Sequence, residues 1–149
     1  MMRRYGSTPR PDQRYRMRPG VYAILPRDGA LLLTYQDDPH YEFQLPGGGI
    51  DAGEHPITAL HREVFEETGW KIGPPQRLGA YRRFTYMPEY DLWAEKVCHI
   101  YIARPVRRHG PPIEVDHTAV WMSPDEALAL LNPIGDADFL AAAYGSGLF

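Results

Sequence analysis

The chain has 149 residues, of which 44% are apolar and 23% are charged, and its formal net charge is −3. These values predict one ordinary globular domain and argue against a general binder of nucleic acids or membrane surfaces. The single cysteine, Cys98, excludes an intramolecular disulfide and a zinc site built on several thiolates. No apolar run approaches the ~18 residues of a membrane span, and the N-terminus lacks a secretory pattern, so we expect a cytoplasmic protein.

The N-terminal segment, residues 1–17, differs in composition from the rest of the chain. It is rich in arginine and proline, contains few aliphatic residues and has Asp12 as its one acid. We predict that this segment is flexible and that residues 18–149 form a single domain. The alternative is an arm that folds over a phosphate-bearing ligand.

The rest of the chain predicts mostly strands, with one helix in the middle and two helices near the end. Residues 21–36 predict two strands around a turn at 27–29. Pro56 at the first turn and Gly69 just beyond the last turn predict a helix over 56–68. The other predicted elements are strands at 43–46, 75–87, 91–106 and 118–122, a helix at 124–131 that Ser123 caps, and a helix at 136–143. This order predicts an α/β fold of the α+β type with a mixed or antiparallel sheet.

The helix over 56–68 carries three carboxylates on one face: Glu63, Glu66 and Glu67. Like charges three or four residues apart destabilise a helix by roughly 0.2–0.5 kcal/mol per pair. A hard divalent cation would compensate, because magnesium takes oxygen ligands and often shares the phosphates of a substrate. A separate apolar stripe predicts the face that packs against the sheet and comprises Ile57, Leu60 and Val64.

A triple glycine at 47–49 precedes this helix. Without a Cβ atom, backbone can pass close to a ligand, and a glycine carbonyl at this place can add a metal ligand. Arg62 can pair with Glu54 and so brace the loop against the helix. Taken alone, the glutamates are also typical of a helix that only faces solvent. The glycines together with the fixed gaps favour a functional site.

With these residues in place, the sequence resembles a Nudix hydrolase. The motif of that family is Gly, five residues, Glu, seven residues, Arg-Glu, an aliphatic residue, any residue, Glu-Glu, any residue, Gly and an aliphatic residue. Every gap matches here, and the fixed positions are Gly48, Glu54, Arg62, Glu63, Glu66, Glu67 and Gly69. The departure is Trp70, where the family usually has Ile, Leu or Val, and we expect changed packing and not lost chemistry.

The resemblance implies the Nudix α/β/α sandwich with a central mixed sheet, over about residues 18–143. It also implies hydrolysis of a diphosphate linkage in a nucleoside diphosphate derivative by attack of water at phosphorus, with Mg²⁺ or Mn²⁺. The implied catalytic and metal-binding residues are Glu63, Glu66 and Glu67, with the carbonyl of Gly47 as a further metal ligand. The residues implied to support the motif structurally are Gly48, Glu54, Arg62 and Gly69.

Two further sets of site residues follow from the resemblance. Many members add an acidic ligand from a late loop, and the candidates here are Glu114 and Asp116, of which we favour Asp116. Tyr86 lies roughly where family members that hydrolyse diadenosine polyphosphates have a tyrosine. Apart from the resemblance, Arg82 and Arg83 could meet substrate phosphates, although exposed arginines on a strand are also common without such a role. We therefore expect Tyr86 and Arg82 to contact the substrate.

The sequence leaves several candidate substrates open. We expect a small nucleotide such as a nucleoside triphosphate, with no DNA or membrane partner, and leave a homodimer open. Within the family, a dinucleoside polyphosphate or a capped RNA end is the alternative, which the basic residues 1–17 mildly favour. A Nudix-fold module that binds a nucleotide without turnover is the alternative of another class, and the intact glutamates argue against it.

Overall fold

The computed structural model describes residues 2–149, so Met1, part of the predicted flexible segment, lies outside the described residues. The strands are β1 Arg3–Tyr5, β2 Arg16–Ile24, β3 Pro26–Arg27, β4 Ala30–Gln36, β5 Glu42–Gln44, β6 Gly47–Gly49, β7 Trp70–Ile72, β8 Gln76–Met87, β9 Leu92–Ile102, β10 Pro105–Arg108 and β11 His117–Met122. The helices are α1 Pro56–Thr68, α2 Pro124–Leu130 and α3 Ile134–Gly145, with a 3₁₀ turn at Pro88–Tyr90. Within this described part of the chain, the helices are all too short or too polar to cross a bilayer.

The main sheet has five strands in the order β1-β8-β9-β2-β6. Two of its pairings, β1 with β8 and β2 with β9, are parallel, and the other two are antiparallel. A smaller sheet places β4 between β11 and β3, with β5 also paired to β4, and β7 pairs with β10. The predicted mixed sheet is therefore confirmed.

Helices cover both faces of the main sheet, because alternate residues of its strands are apolar on opposite sides. Val21 and Ala23 of β2 pack with Leu60 and Val64 of α1 in one cluster. The second cluster joins the other face of the sheet to α2 and α3 and includes Ile24, Tyr81, Ile100, Ala127 and Leu140. This arrangement is the predicted α/β/α sandwich, and the apolar stripe predicted on α1 packs as expected, with Ile57 at its margin.

The ends of α1 and α2 follow from local chemistry. Pro56 begins α1, the ring of His55 accepts the N–H of Ile57 at 3.1 Å, and Gly69 ends the helix in the left-handed conformation at φ 77°. Ser123 caps α2 as predicted, and its hydroxyl accepts the N–H of Glu126 at 3.2 Å. The observed bounds of α1 agree with the prediction because both of its ends carry a signal.

Several elements differ from the sequence-based expectation. The glycines at 47–49 form β6, a strand paired with β2, and not a loop. The strand predicted over 91–106 is divided into β9 and β10, and β7, which was not predicted, pairs with β10. Glycine-rich and polar segments carry no apolar alternation, so a strand fixed by its neighbours is invisible in their sequence.

The N-terminal segment is also more engaged with the fold than its composition indicates. Residues Arg3–Tyr5 pair in parallel with β8, and β2 begins at Arg16, so the boundary predicted at residue 18 falls inside a strand. Tyr15 packs edge-on against Phe84 at 4.8 Å between ring centroids. The flexibility of the segment in solution stays a prediction.

Candidate active site

Helix α1 lies against the glycine strand β6, so its carboxylates approach backbone directly. A Cβ atom on Gly48 would lie 2.5 Å from the Glu63 carboxylate, and one on Gly47 would lie 2.0 Å from the carbonyl oxygen of Val21. The N–H of Gly47 donates to Oε1 of Glu67 at 3.0 Å. Glycine is required at Gly47, where a side chain would collide with the backbone of β2, whereas a side chain at Gly48 would displace the Glu63 carboxylate.

Arg62 is the cation that organises the acidic cluster. Its guanidinium donates twice to the Glu54 carboxylate, with both N–O distances 2.8 Å, and this is the predicted ion pair. It also donates to Oε1 of Glu63 at 3.0 Å, to Oε2 of Glu66 at 3.3 Å and to the carbonyl of Gly49 at 3.1 Å. Hydrogen bonds from Arg62 lower the pKa of Glu54 to about 2. One side chain thus joins the loop, the strand and the helix.

The carboxylates of Glu67 and Glu63 lie in poorly hydrated surroundings. Burial raises the pKa of Glu67 well above its usual value, and the charges of Glu63, Glu114 and Asp116 raise it further. The hydrogen bond from the Gly47 N–H acts in the other direction and lowers this pKa. Burial also raises the pKa of Glu63, and Arg62 opposes that shift. Several carboxylates therefore meet where water solvates them weakly, which is a surplus of negative charge that a divalent cation would relieve.

The donor set fits a hard cation, although its members do not already converge on one point. Among residues 2–149, no group of three His, Cys, Asp or Glu side chains has the spacing of a bound metal. Arg62 explains this, since it occupies oxygens of both Glu63 and Glu66. Carboxylate and backbone carbonyl oxygens are the ligands that Mg²⁺ and Mn²⁺ prefer. Glu63, Glu66, Glu67 and the Gly47 carbonyl could hold such an ion once those side chains turn from Arg62.

Both candidates for the late acidic ligand line the cavity in front of this cluster. The N–H groups of Ile113 and Glu114 donate to the carbonyl of Glu66 at 2.9 and 3.0 Å, which ties their loop to the helix. The Asp116 carbonyl accepts the N–H of Asp37 at 2.9 Å. The fold thus brings Glu114 and Asp116 to the same place, and the preference for Asp116 stays a prediction.

His117 is a site residue that the sequence did not single out. Its Nε2 lies 3.4 Å from Oε2 of Glu67, and its Nδ1 lies 2.8 Å from the hydroxyl oxygen of Thr34. Thr34 is fully buried, so its hydroxyl fixes the orientation of the ring. The Gly47 N–H thus hydrogen-bonds one oxygen of the Glu67 carboxylate, and the His117 ring lies 3.4 Å from the other. With no zinc-type spacing among the six histidines, no sequence signal distinguished this one.

The cavity in front of the cluster has a volume of about 490 Å³ and walls of opposite charge. Its acidic wall comprises Glu63, Glu67, Glu114 and Asp116, beside the glycines of β6. Its other wall comprises Tyr22, Tyr81, Arg83, Lys96 and Cys98 from the main sheet, together with the acid Asp136 from α3. A volume of this size is typical of a small-molecule site.

The two residues predicted to contact substrate lie elsewhere on β8. Arg82 pairs with Glu95 at 3.3 Å, and the Tyr86 hydroxyl donates to Asp91 while its ring packs on Trp93 at 5.2 Å. Their neighbours in sequence, Arg83 and Met87, line the cavity instead. Side chains alternate between the faces of a strand, so a shift of one residue moves a side chain to the other side of the sheet.

Comparison with known proteins identifies the family. The model of the family described as NUDIX domain matches residues 14–143. This match covers most of the chain, and the chain therefore belongs to the Nudix family.

Relatives of known description are similar over different lengths. A putative 8-oxo-dGTP diphosphatase of Bacillus subtilis is 36% identical over 63 residues, 42% of this chain and 41% of the relative. An RNA pyrophosphohydrolase of Agrobacterium fabrum is 37% identical over 65 residues, 34% of this chain and 38% of the relative. The matches thus span about two fifths of the length of these two relatives. A MutT-like protein of Streptomyces ambofaciens is 28% identical over 131 residues, 85% of this chain and 77% of the relative.

Solved structures show the same fold. A NUDIX hydrolase from Nitrosomonas europaea has a TM-score of 0.69 at 23% identity and covers 89% of this chain and 90% of its own. A MutT NUDIX hydrolase from Burkholderia pseudomallei has a TM-score of 0.68 at 23% identity and covers 84% of this chain and 96% of its own. The sandwich around the glutamate helix is therefore the fold of this family.

Proposed function

We propose that this chain is a metal-dependent pyrophosphohydrolase that cleaves a diphosphate linkage in a nucleoside diphosphate derivative. The observation that carries the proposal is the Glu67 carboxylate, which is only 6% exposed and is held between the Gly47 N–H and His117. Burial of an acid is costly unless it is compensated. A binding module would have no need to keep this acid and Glu63 together at the mouth of a cavity.

Glu63, Glu66, Glu67 and the Gly47 carbonyl would hold Mg²⁺ or Mn²⁺, with Glu114 or Asp116 as a late ligand. Bound there, the metal supplies neutralisation of phosphate charge and a lowered pKa for bound water. Arg62 and Glu54 keep the helix and the glycine strand in register. Gly47 and His117 orient the Glu67 carboxylate before the substrate arrives.

The reaction itself is a displacement at phosphorus. One of Glu63, Glu66 and Glu67 accepts a proton from the attacking water. The water oxygen forms the new bond to phosphorus, and the bridging oxygen leaves with the electron pair of the broken P–O bond. The products are a nucleotide with fewer phosphates and the phosphorylated remainder.

A dinucleoside polyphosphate or the 5′ end of an RNA is the second candidate substrate. Exposed arginines along residues 2–17 favour it, because a basic segment attracts a long anionic ligand. The similarity of residues in this chain to an RNA pyrophosphohydrolase supports the same candidate. In both candidates the bond that breaks is a phosphoanhydride.

The test is a panel of substrates assayed with Mg²⁺ and with Mn²⁺. The panel contains nucleoside triphosphates, an oxidised guanine nucleotide, dinucleoside polyphosphates, ADP-ribose and a triphosphorylated RNA. We expect turnover of at least one compound and a loss of about 100-fold or more in Glu67→Gln. Glu95→Gln, a glutamate on β9 outside the cavity, is the matched control and should keep its activity. A flat panel, or a Glu67→Gln variant as active as Glu95→Gln, would overturn the proposal.

A further inference from the structure

The sheet wall of the cavity carries a row of three cations, because Arg18 lies opposite Lys96 and Lys96 lies opposite Arg83. The guanidinium of Arg18 lies over the ring of Tyr90, 4.9 Å from its centroid, and the other two cations form the pair of interest. Arg83 of β8 and Lys96 of β9 are paired residues in the antiparallel register, so their side chains leave the same face of the sheet. Both are half-buried and both line the cavity. Like charges at directly opposite positions destabilise a sheet, so this pair requires compensation.

Within residues 2–149 the compensation comes without a direct ion pair, because the negative charge of Asp136 acts on both cations and that of Glu89 acts on Lys96. Across residues 2–149, neither Arg83 nor Lys96 forms an ion pair, whereas the neighbouring Arg82 pairs with Glu95. The Nε atom of Arg83 is buried and has no hydrogen-bond partner. The ring of Tyr22 lies beside Lys96, with its centroid 6.0 Å from Nζ.

The two acids whose charges act on these cations, Asp136 and Glu89, make their own hydrogen bonds to other groups. Asp136 at the base of the cavity accepts the hydroxyl of Tyr81 at 2.6 Å and the N–H of Leu45 at 3.4 Å. Glu89 at the rim is 2.7 Å from Nε2 of His40. Burial lowers the pKa of Lys96, and the charge of Arg83 lowers it further. An anionic ligand would add the direct partner that neither cation has within residues 2–149.

We propose that Arg83 and Lys96 form an anion subsite that binds a phosphate of the substrate beyond the two that flank the broken bond, apart from the phosphates held at the acidic wall. The inference rests on the proposed function and narrows its substrate class. A guanidinium presents paired donors that match phosphate oxygens, and an ammonium adds a point charge beside them. The acidic wall repels any phosphate that no metal ion screens, so a free phosphate group is driven to the sheet wall.

The subsite selects substrates with a chain of three or more phosphates. A nucleoside triphosphate, a dinucleoside polyphosphate and a triphosphorylated RNA end all carry a phosphate beyond the two that flank the broken bond. A nucleotide sugar carries only those two, and its neutral sugar gains nothing from a pair of cations. The structure thus favours polyphosphate substrates over nucleotide sugars.

Binding without catalysis tests the subsite directly. Metal-stripped full-length protein is titrated calorimetrically with inorganic tripolyphosphate, and the variants are Arg83→Gln, Lys96→Gln and, as the matched control, Arg82→Gln. We expect Arg83→Gln and Lys96→Gln each to weaken binding by about tenfold or more, and Arg82→Gln to change it by less than about twofold. Arg83→Lys should bind tripolyphosphate more tightly than Arg83→Gln. That result would show that the loss in Arg83→Gln comes from the missing charge and not from a change in the fold. Equal affinities in Arg83→Gln and Arg82→Gln would overturn the subsite.

Steady-state kinetics then tests the selection. In Arg83→Gln, KM for a nucleoside triphosphate should rise by about tenfold, with a much smaller change in kcat, while KM for ADP-ribose stays within about twofold. An equal rise in KM for both substrates would mean that Arg83 binds a group they share, such as the nucleobase, and would overturn the inference. If no substrate of the panel is turned over but tripolyphosphate binding still depends on Arg83, only the proposed function is refuted. Activity that needs Glu67, without that binding, refutes only the subsite.

Discussion

Replacing Arg62 by methionine tests how the acidic cluster is held together. Methionine keeps most of the apolar stem and removes the charge that Glu54, Glu63 and Glu66 share. A net hydrogen bond to a charged group contributes about 1.5–3 kcal/mol. The Arg62 side chain is 29% exposed and its bonds are not independent, so we expect a total loss of about 3 kcal/mol. For a chain of this size the loss corresponds to a fall in Tm of roughly 6–12 °C.

The measurement is thermal unfolding at pH 7 in the presence of a chelator, followed by circular dichroism. Arg82→Met is the matched control, because Arg82 makes one ion pair of 3.3 Å and its side chain is 43% exposed. An exposed pair of this kind contributes about 0–1 kcal/mol, so the control should lose less than about 4 °C. If Arg62→Met loses no more than the control, the central place given to Arg62 is wrong.

Further predictions concern the glycine strand, the cluster in acid and a helix cap. Gly47→Ala should abolish folding or lower Tm severely, because its Cβ would lie 2.0 Å from a carbonyl oxygen, whereas Gly49→Ala has open space and should cost little. The lowered pKa of Glu54, about 2, means that its ion pair stabilises the fold above pH about 4.5 and that this contribution is lost as the pH falls towards 2. Glu54→Gln should therefore flatten the acid limb of the stability curve. Ser123→Ala should cost about 1 kcal/mol, measured by urea unfolding, because the capping box is lost.

Each of these has an outcome that contradicts it. Similar yields and Tm values for Gly47→Ala and Gly49→Ala would show that β6 can move away from β2. An unchanged acid limb in Glu54→Gln would place the acid sensitivity in another carboxylate. An unaltered urea midpoint in Ser123→Ala would mean that water replaces the cap at no cost.

The glutamate helix could be predicted closely because its signals are local. Pro56 at its start, Gly69 at its end and a stripe of apolar residues are properties of one short segment. The spacing of the motif then predicted the family, and membership of the family predicted the α/β/α sandwich. Each of these steps needs only sequence neighbours or fixed gaps, which a single chain displays.

The side of the sheet on which a residue lies could not be predicted for β8. Both faces of this strand are partly covered, so its burial shows no regular alternation, and its register to β9 shifts between Arg77 and Gly79. Arg82 and Arg83 therefore look alike in sequence, yet one pairs with Glu95 and the other lines the cavity. His117 was missed for a related reason, since its partners Thr34 and Glu67 are distant in sequence.

The parallel pairing of β2 with β9 sets the order in which the protein can be built on the ribosome. Arg16 pairs with Ala94 and Ile24 with Ile102, so one edge of β2 stays open until most of the chain has been synthesised. The glutamate helix emerges long before that edge is closed, while the wall that carries Arg83 and Lys96 does not yet exist. Contacts this distant in sequence slow folding. Until β9 is made, β2 keeps an unpaired edge, and an unpaired edge is a template for strand addition.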